Sequence, residues 1–153
     1  RRVCTQTRPK TMIYARIDLS KTNYKFMDNC KRIRNPNHID LERIYNIYCT
    51  HKKFKSVMPI FPEEYTDAKN DVLGYYDDEK LVAFSLIRCY NSKNAEAVQF
   101  AWDYANPKLK LGFSSLENEC AMYKKRGFDY LYLGEADPYK TKIDGFEILG
   151  ARV

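Results

Sequence analysis

"LGFSSLENECAMYKKRGFDYLYLG", residues 111–134, decides the fold of this 153-residue chain. Ser114 followed by Glu117 is an S-x-x-E capping box, in which two side chains satisfy amides that a helix start leaves unpaired, so a helix is expected to begin at Ser114. Phe113, Leu116, Cys120 and Tyr123 then recur at spacings of three, four and three, which is one apolar helical face. Lys124, Lys125 and Arg126 fill the last turn, where cations meet the negative end of the helix, and Gly127 is the terminating glycine. "FDYLYLG" resumes as a strand. The unit is strand, loop, helix, strand, with the helix crossing over between parallel strands.

Working backwards, "AEAVQFAWDYA" (residues 95–105) alternates as a strand, with Val98, Phe100, Trp102 and Tyr104 on one side and Gln99, Ala101 and Asp103 on the other. Asn106-Pro107 ends it, because proline cannot donate to a ladder. "DVLGYYDDEKLVAFSLIRCY" reads as a hairpin turning at Asp77-Asp78-Glu79. "MPIFPEEYTDAKN" is a loop with a short helical turn. "HIDLERIYNIYCTHKKF" carries Ile39, Ile44, Ile47 and Tyr48 at helical spacing, with Asp40 as its cap and a basic last turn. "NCKRIRNPNH" is a basic segment closing in an Asn-Pro turn, and residues 11–19 form the first strand.

Composition sets the class. With 44% apolar and 30% charged residues this is an ordinary globular chain of one domain, read as residues 12–153, with residues 1–11 a disordered leader or an expression remnant. No apolar run approaches the ~18 residues of a membrane span. Five cysteines form no C-x-x-C pair and only two histidines are present, so no metal site is expected. Reduced thiols fit a cytoplasmic protein. Charge is uneven: residues 1–57 hold 14 Lys and Arg against 4 Asp and Glu, while residues 58–153 hold 12 against 16. A basic half suits a polyanionic partner, whose phosphates confer affinity without sequence specificity.

An antiparallel meander feeding a strand–helix–strand crossover is an α/β (α+β) arrangement with a mixed central sheet flanked by helices. That order resembles the GNAT-like N-acyltransferase fold. The resemblance implies that the strands beside the crossover splay apart, and that the following helix offers its free amides to the phosphates of an acyl donor. The segment from Asp103 to Gly145 also resembles the C-terminal region of arginyl-tRNA–protein transferases. It carries Tyr104, Pro107, Leu109, Leu111-Gly112, Leu116, Glu119, then Tyr130-Leu131-Tyr132-Leu133-Gly134, then Tyr139-Lys140, in that family's order. The family's "S-C-x-K-M" segment is here shortened to "EADP".

The resemblance implies transfer of an aminoacyl group from charged tRNA to an amine, a protein or peptide N-terminus or a small amine. Such an ester is already activated, so no cofactor is required beyond aminoacyl-tRNA as donor substrate. The rival donor is acetyl-CoA, used by N-acetyltransferases of the same fold. The loop before the helix keeps Gly112 but continues with Phe113 and Ser114, lacking the second glycine of a pyrophosphate seat. A third reading is a non-catalytic module binding RNA or an acidic protein through its basic half. On the catalytic reading, Leu111, Gly112, Phe113, Ser114 and Ser115 hold the donor. Asp103 and Glu135, at two strand ends, handle the amine or its proton, and Tyr123 is the proton donor to the leaving group. Tyr104, Tyr132, Tyr139 and Lys140 bind substrate.

Overall fold

The computed structural model describes residues 12–54, 57–105, 111–135 and 138–152. The elements are β1 (Met12–Asp18), β2 (Cys30–Ile33), α1 (His38–Lys52), α2 (Pro62–Thr66), β3 (Asn70–Asp77), β4 (Lys80–Cys89), β5 (Asn94–Trp102), α3 (Leu111–Lys125), β6 (Tyr130–Glu135) and β7 (Phe146–Arg152). Leu19–Lys21 and Pro138–Lys142 are short 3-10 turns. The strands form one mixed sheet of seven in the order β2-β3-β4-β5-β6-β1-β7. Every neighbouring pair is antiparallel except β5 and β6, which the α3 crossover makes parallel. This is the GNAT-like N-acyltransferase fold.

Two cores flank the sheet. Leu41, Ile44, Tyr45 and Cys49 of α1 pack on Val72, Phe84, Leu86, Val98 and Ala101. On the opposite face Leu111, Leu116, Cys120 and Tyr123 of α3 pack on Leu73, Tyr75, Ala83, Ile87, Leu131 and Leu133. Helix α3 ends as its glycine predicts: Gly127 takes a φ of 89°, and the amides of Gly127 and Phe128 return to the carbonyls of Lys124 and Tyr123. Among the described residues no helix is long and apolar enough to cross a membrane.

Several expectations are corrected. Helix α1 is capped by Asn37, whose side chain accepts from the Ile39 amide, so Asp40 lies inside the first turn. The basic segment before it contains strand β2, an edge strand whose Lys31 and Arg32 are exposed. A further edge strand, β7, not expected from the sequence, follows β6. The first strand does not join the sheet near its sequence neighbours: β1 lies between β6 and β7. Helix α3 begins at Leu111, not at Ser114. Ser114 therefore sits in the first turn, where the Ser115 hydroxyl donates to the Gly112 carbonyl at 3.1 Å.

Candidate active site

The two parallel strands stay together for only three rungs, Asn94↔Tyr130, Ala95↔Leu131 and Glu96↔Tyr132. β5 then continues to Trp102 and β6 to Glu135 without pairing with each other. The cause is local. Leu86 of β4 faces Gln99 and Ile87 faces Ala97, so Val98 is an extra residue that bends and twists β5 just past the last rung. The bulge also resets the alternation: Val98 turns to the α1 core while Phe100 and Trp102 turn to the α3 core, correcting the single face read for them.

Helix α3 starts at the same open end, because it leaves the end of β5 and runs back to the start of β6. Its first turn holds Leu111, Gly112, Phe113, Ser114 and Ser115, where amides lack intrahelical acceptors and the dipole favours an anion. Leu111 and Ser115 are fully buried and anchor that turn. Among the described residues, a Cβ added to Gly112 would meet nothing within 4 Å.

Other candidates lie elsewhere. Tyr123 is at the closed end, fully buried, and its hydroxyl donates to Asp71 at 2.6 Å. Burial first, then the charge of Asp71, push its phenol well above its ordinary pKa. Asp103 is buried against α1, where Arg43 meets its carboxylate at 3.3 Å and the Ala105 amide at 3.0 Å. The backbone of Glu135 closes β6 opposite Tyr14 of β1, and Tyr139 belongs to the 3-10 turn after it, but their side chains lie outside the described residues. Lys140 in that turn is fully buried. Pro107 and Leu109 also lie outside the described residues.

A cavity of about 620 Å³ opens on the face of the sheet opposite α3, lined by Tyr14, Tyr90, Asn94, Glu96, Tyr132 and Gly134 among others. Leu131 and Leu133 point into the α3 core, so alternation sends Tyr132 and Gly134 to this other side. Glu96 and Tyr132 are the last rung before the strands part, which sets the cavity at the apex of the opening. Glu96 accepts from the Tyr90 hydroxyl. Arg16 is held by Glu147 at 2.8 Å, lies over the Tyr130 ring at 3.8 Å and donates to the Tyr132 hydroxyl oxygen at 3.3 Å. Arginine only donates, so the Tyr132 oxygen accepts and its hydrogen is directed elsewhere. Sequence reasoning missed Glu96; the signal was that it is the one charged residue in β5.

At the far end of β5, Tyr104 stacks against His51 of α1, with ring centroids 3.8 Å apart and planes 8° from parallel. Trp102 lies 4.5 Å from the same tyrosine and Tyr48 lies 5.9 Å from it.

Comparison with known proteins bears on the family and the fold. The family model described as "Arginine-tRNA-protein transferase, C terminus" matches residues 19–142. Among solved structures, a GNAT-family protein from Novosphingobium aromaticivorans is similar over 99% of this chain and 67% of its own, with a TM-score of 0.65 and 14% identity. The ribosomal-protein-alanine N-acetyltransferase of Escherichia coli is similar over 70% of this chain and 66% of its own, with a TM-score of 0.56 and 16% identity. The C-terminal domain of a lysylphosphatidylglycerol synthetase-like protein from Agrobacterium fabrum is similar over 82% of this chain, with a TM-score of 0.59 and 14% identity. The chain spans 47% of that domain's length. At these identities the likeness is one of fold. No curated protein matches the chain.

Proposed function

The chain belongs to the family that forms the C terminus of arginine-tRNA-protein transferases, and from that premise we propose that it carries the acyl-transfer site of an enzyme moving an aminoacyl group from charged tRNA to a protein or peptide amine. The observation that carries the reading is the parting of β5 and β6 at Val98, with the first turn of α3 at the open end. In this reading the donor's 3′ end lies along the parted strands, with a phosphate against Leu111–Ser115. The acceptor amine enters the cavity on the opposite face and meets the ester at the apex.

The chemistry needs no enzyme nucleophile. The amine nitrogen attacks the ester carbonyl carbon, an N–C bond forms, and the C–O bond to the ribose breaks. One proton leaves the nitrogen and one reaches the ribose oxygen. Glu96 is the group at the apex that takes the first, and Tyr132, with Arg16 on its oxygen, is the one that supplies the second. Glu135, at the tip of β6, is the further candidate for the incoming ammonium, whereas the burial of Lys140 keeps it from a phosphate. Asp103 serves by fixing the end of β5 to α1 through Arg43.

An acetyl-CoA-dependent N-acetyltransferase is the second reading, favoured by the fold it shares with the Escherichia coli enzyme. Calorimetry with both donors separates the two. On the leading reading, tRNA binds at low ionic strength and weakens steeply as salt rises, since each neutralised phosphate adds to the salt slope. Acetyl-CoA then binds poorly or not at all. Micromolar binding of acetyl-CoA with no response to tRNA reverses the assignment, and indifference to both leaves a non-catalytic binding module.

A further inference from the structure

The stack at the end of β5 runs from the core to solvent. Trp102 is buried, Tyr104 is half-buried, and His51 lies flat on Tyr104 with its own ring exposed. Asn46, Ile47 and Thr50 of α1 line, with His51, Tyr104 and Ala105, a hollow of about 470 Å³. Positions 46 and 50, like 47 and 51, are one helical turn apart, so two polar side chains and one apolar side chain rise beside the histidine ring. The ammonium of Lys52 stands 5.5 Å from the centre of the Tyr104 ring. A flat ring with open space beside it, an amide at its edge and a cation nearby is the set of groups that a nucleotide recognises. The base stacks, the amide reads its edge, and the cation meets its phosphate.

We infer that His51, lying on Tyr104, is the platform for a purine nucleotide, with Asn46 and Thr50 at the base edge and Lys52 at the phosphate. Both donors considered above contain an adenine nucleotide, so the chemistry is common to them; the assignment of this platform to the RNA 3′ end rests on the aminoacyl-tRNA reading. A purine is favoured over a pyrimidine because its larger, more polarisable π-system stacks more strongly.

Trp102 is the only tryptophan of the chain and sits two residues from Tyr104, so its emission reports on the stack. The purified protein is titrated with adenosine monophosphate, with uridine monophosphate, with a short single-stranded RNA ending in adenosine, and with coenzyme A. We expect saturable quenching by adenosine monophosphate, weaker quenching by uridine monophosphate, and an affinity about tenfold lower in His51→Ala, since one base–aromatic stack is worth roughly that factor or more. His51 is exposed, so this variant keeps its fold; Lys52→Ala lowers affinity for the monophosphate but not for adenosine itself. No response to adenosine monophosphate, or the same affinity in His51→Ala, overturns the platform. RNA binding that survives unchanged in His51→Ala overturns the platform and leaves the tRNA reading intact. Histidine-dependent binding of coenzyme A without RNA binding keeps the platform and removes the tRNA reading.

Discussion

Tyr123 donates its hydroxyl hydrogen to Asp71 at 2.6 Å, tying the last turns of α3 to the start of β3. Arg126 reaches the same carboxylate at 2.6 Å and Arg32 at 2.9 Å. Tyr123→Phe leaves this buried acid one donor short, which costs about 1–3 kcal/mol. Urea unfolding is expected to show that loss while the folded variant retains its transfer rate. An intact stability with turnover abolished would return Tyr123 to the reaction.

The same carboxylate sets an acid limit on the fold. Burial raises the Asp71 pKa, but hydrogen bonds from Tyr123 and Arg126 and the charges of Arg126 and Arg32 outweigh it and hold the group below the ordinary carboxylate value. The folded pKa is thus lower than the unfolded one, near ~3.9. Stability from this cluster is present above that value and is lost as pH falls through the folded pKa. Replacing Arg126 with Gln is expected to shift the acid unfolding midpoint to higher pH, read by circular dichroism between about pH 5 and 2.

Gly112→Ala separates stability from donor binding. Its methyl meets none of the described residues within the first turn of a helix, where Ala is favoured over Gly by up to about 1 kcal/mol. Thermal unfolding is expected to rise slightly. If a donor phosphate lies against this turn, the methyl occupies its approach and affinity for the donor falls. Higher stability with unchanged donor affinity would move the donor away from α3.

Glu96→Gln tests the apex of the opening. An α-amino group titrates near ~8, so below neutral pH most of the acceptor is protonated and depends on a proton acceptor beside it. Turnover of Glu96→Gln is expected to fall most at low pH and to approach the wild-type rate as pH rises above that value. A wild-type profile in the variant would leave the amine to Glu135 or to water.

Much of the fold was legible because its elements announce themselves locally. The apolar spacing of α3, its glycine stop and the Asp77-Asp78 hairpin turn all depend on neighbours in sequence, and Asp78 does take the positive φ of 55° that a tight turn uses. Ser114 and Glu117 satisfy the capping pattern, yet α3 already includes Leu111, three residues earlier, with Leu111 and Ser115 buried in its first turn. β2 and β7 escaped notice for another reason. Both are edge strands, and Lys31, Arg32, Ile148 and Leu149 are exposed on them without the alternation that a half-buried strand shows. The bulge at Val98 leaves no trace in composition, since it exists only against β4. Glu96 was therefore invisible as an apex residue until the end of the β5–β6 pairing was located.

The place of β1 governs the order in which the molecule can be assembled. Ile17 pairs with Leu131 on one side and with Phe146 on the other, so both of its partners lie more than 110 residues downstream. During synthesis the hairpin of β3 and β4 and its α1 cover can form while β1 still lacks both neighbours. Closing so long a loop carries an entropic penalty before any contact offsets it, and such non-local pairings slow folding. The strand that leaves the ribosome first among the seven is thus locked in after β6 and β7 have emerged. Ile17 and Leu19, both fully buried in the finished α3 core, remain available to chaperones until that last step.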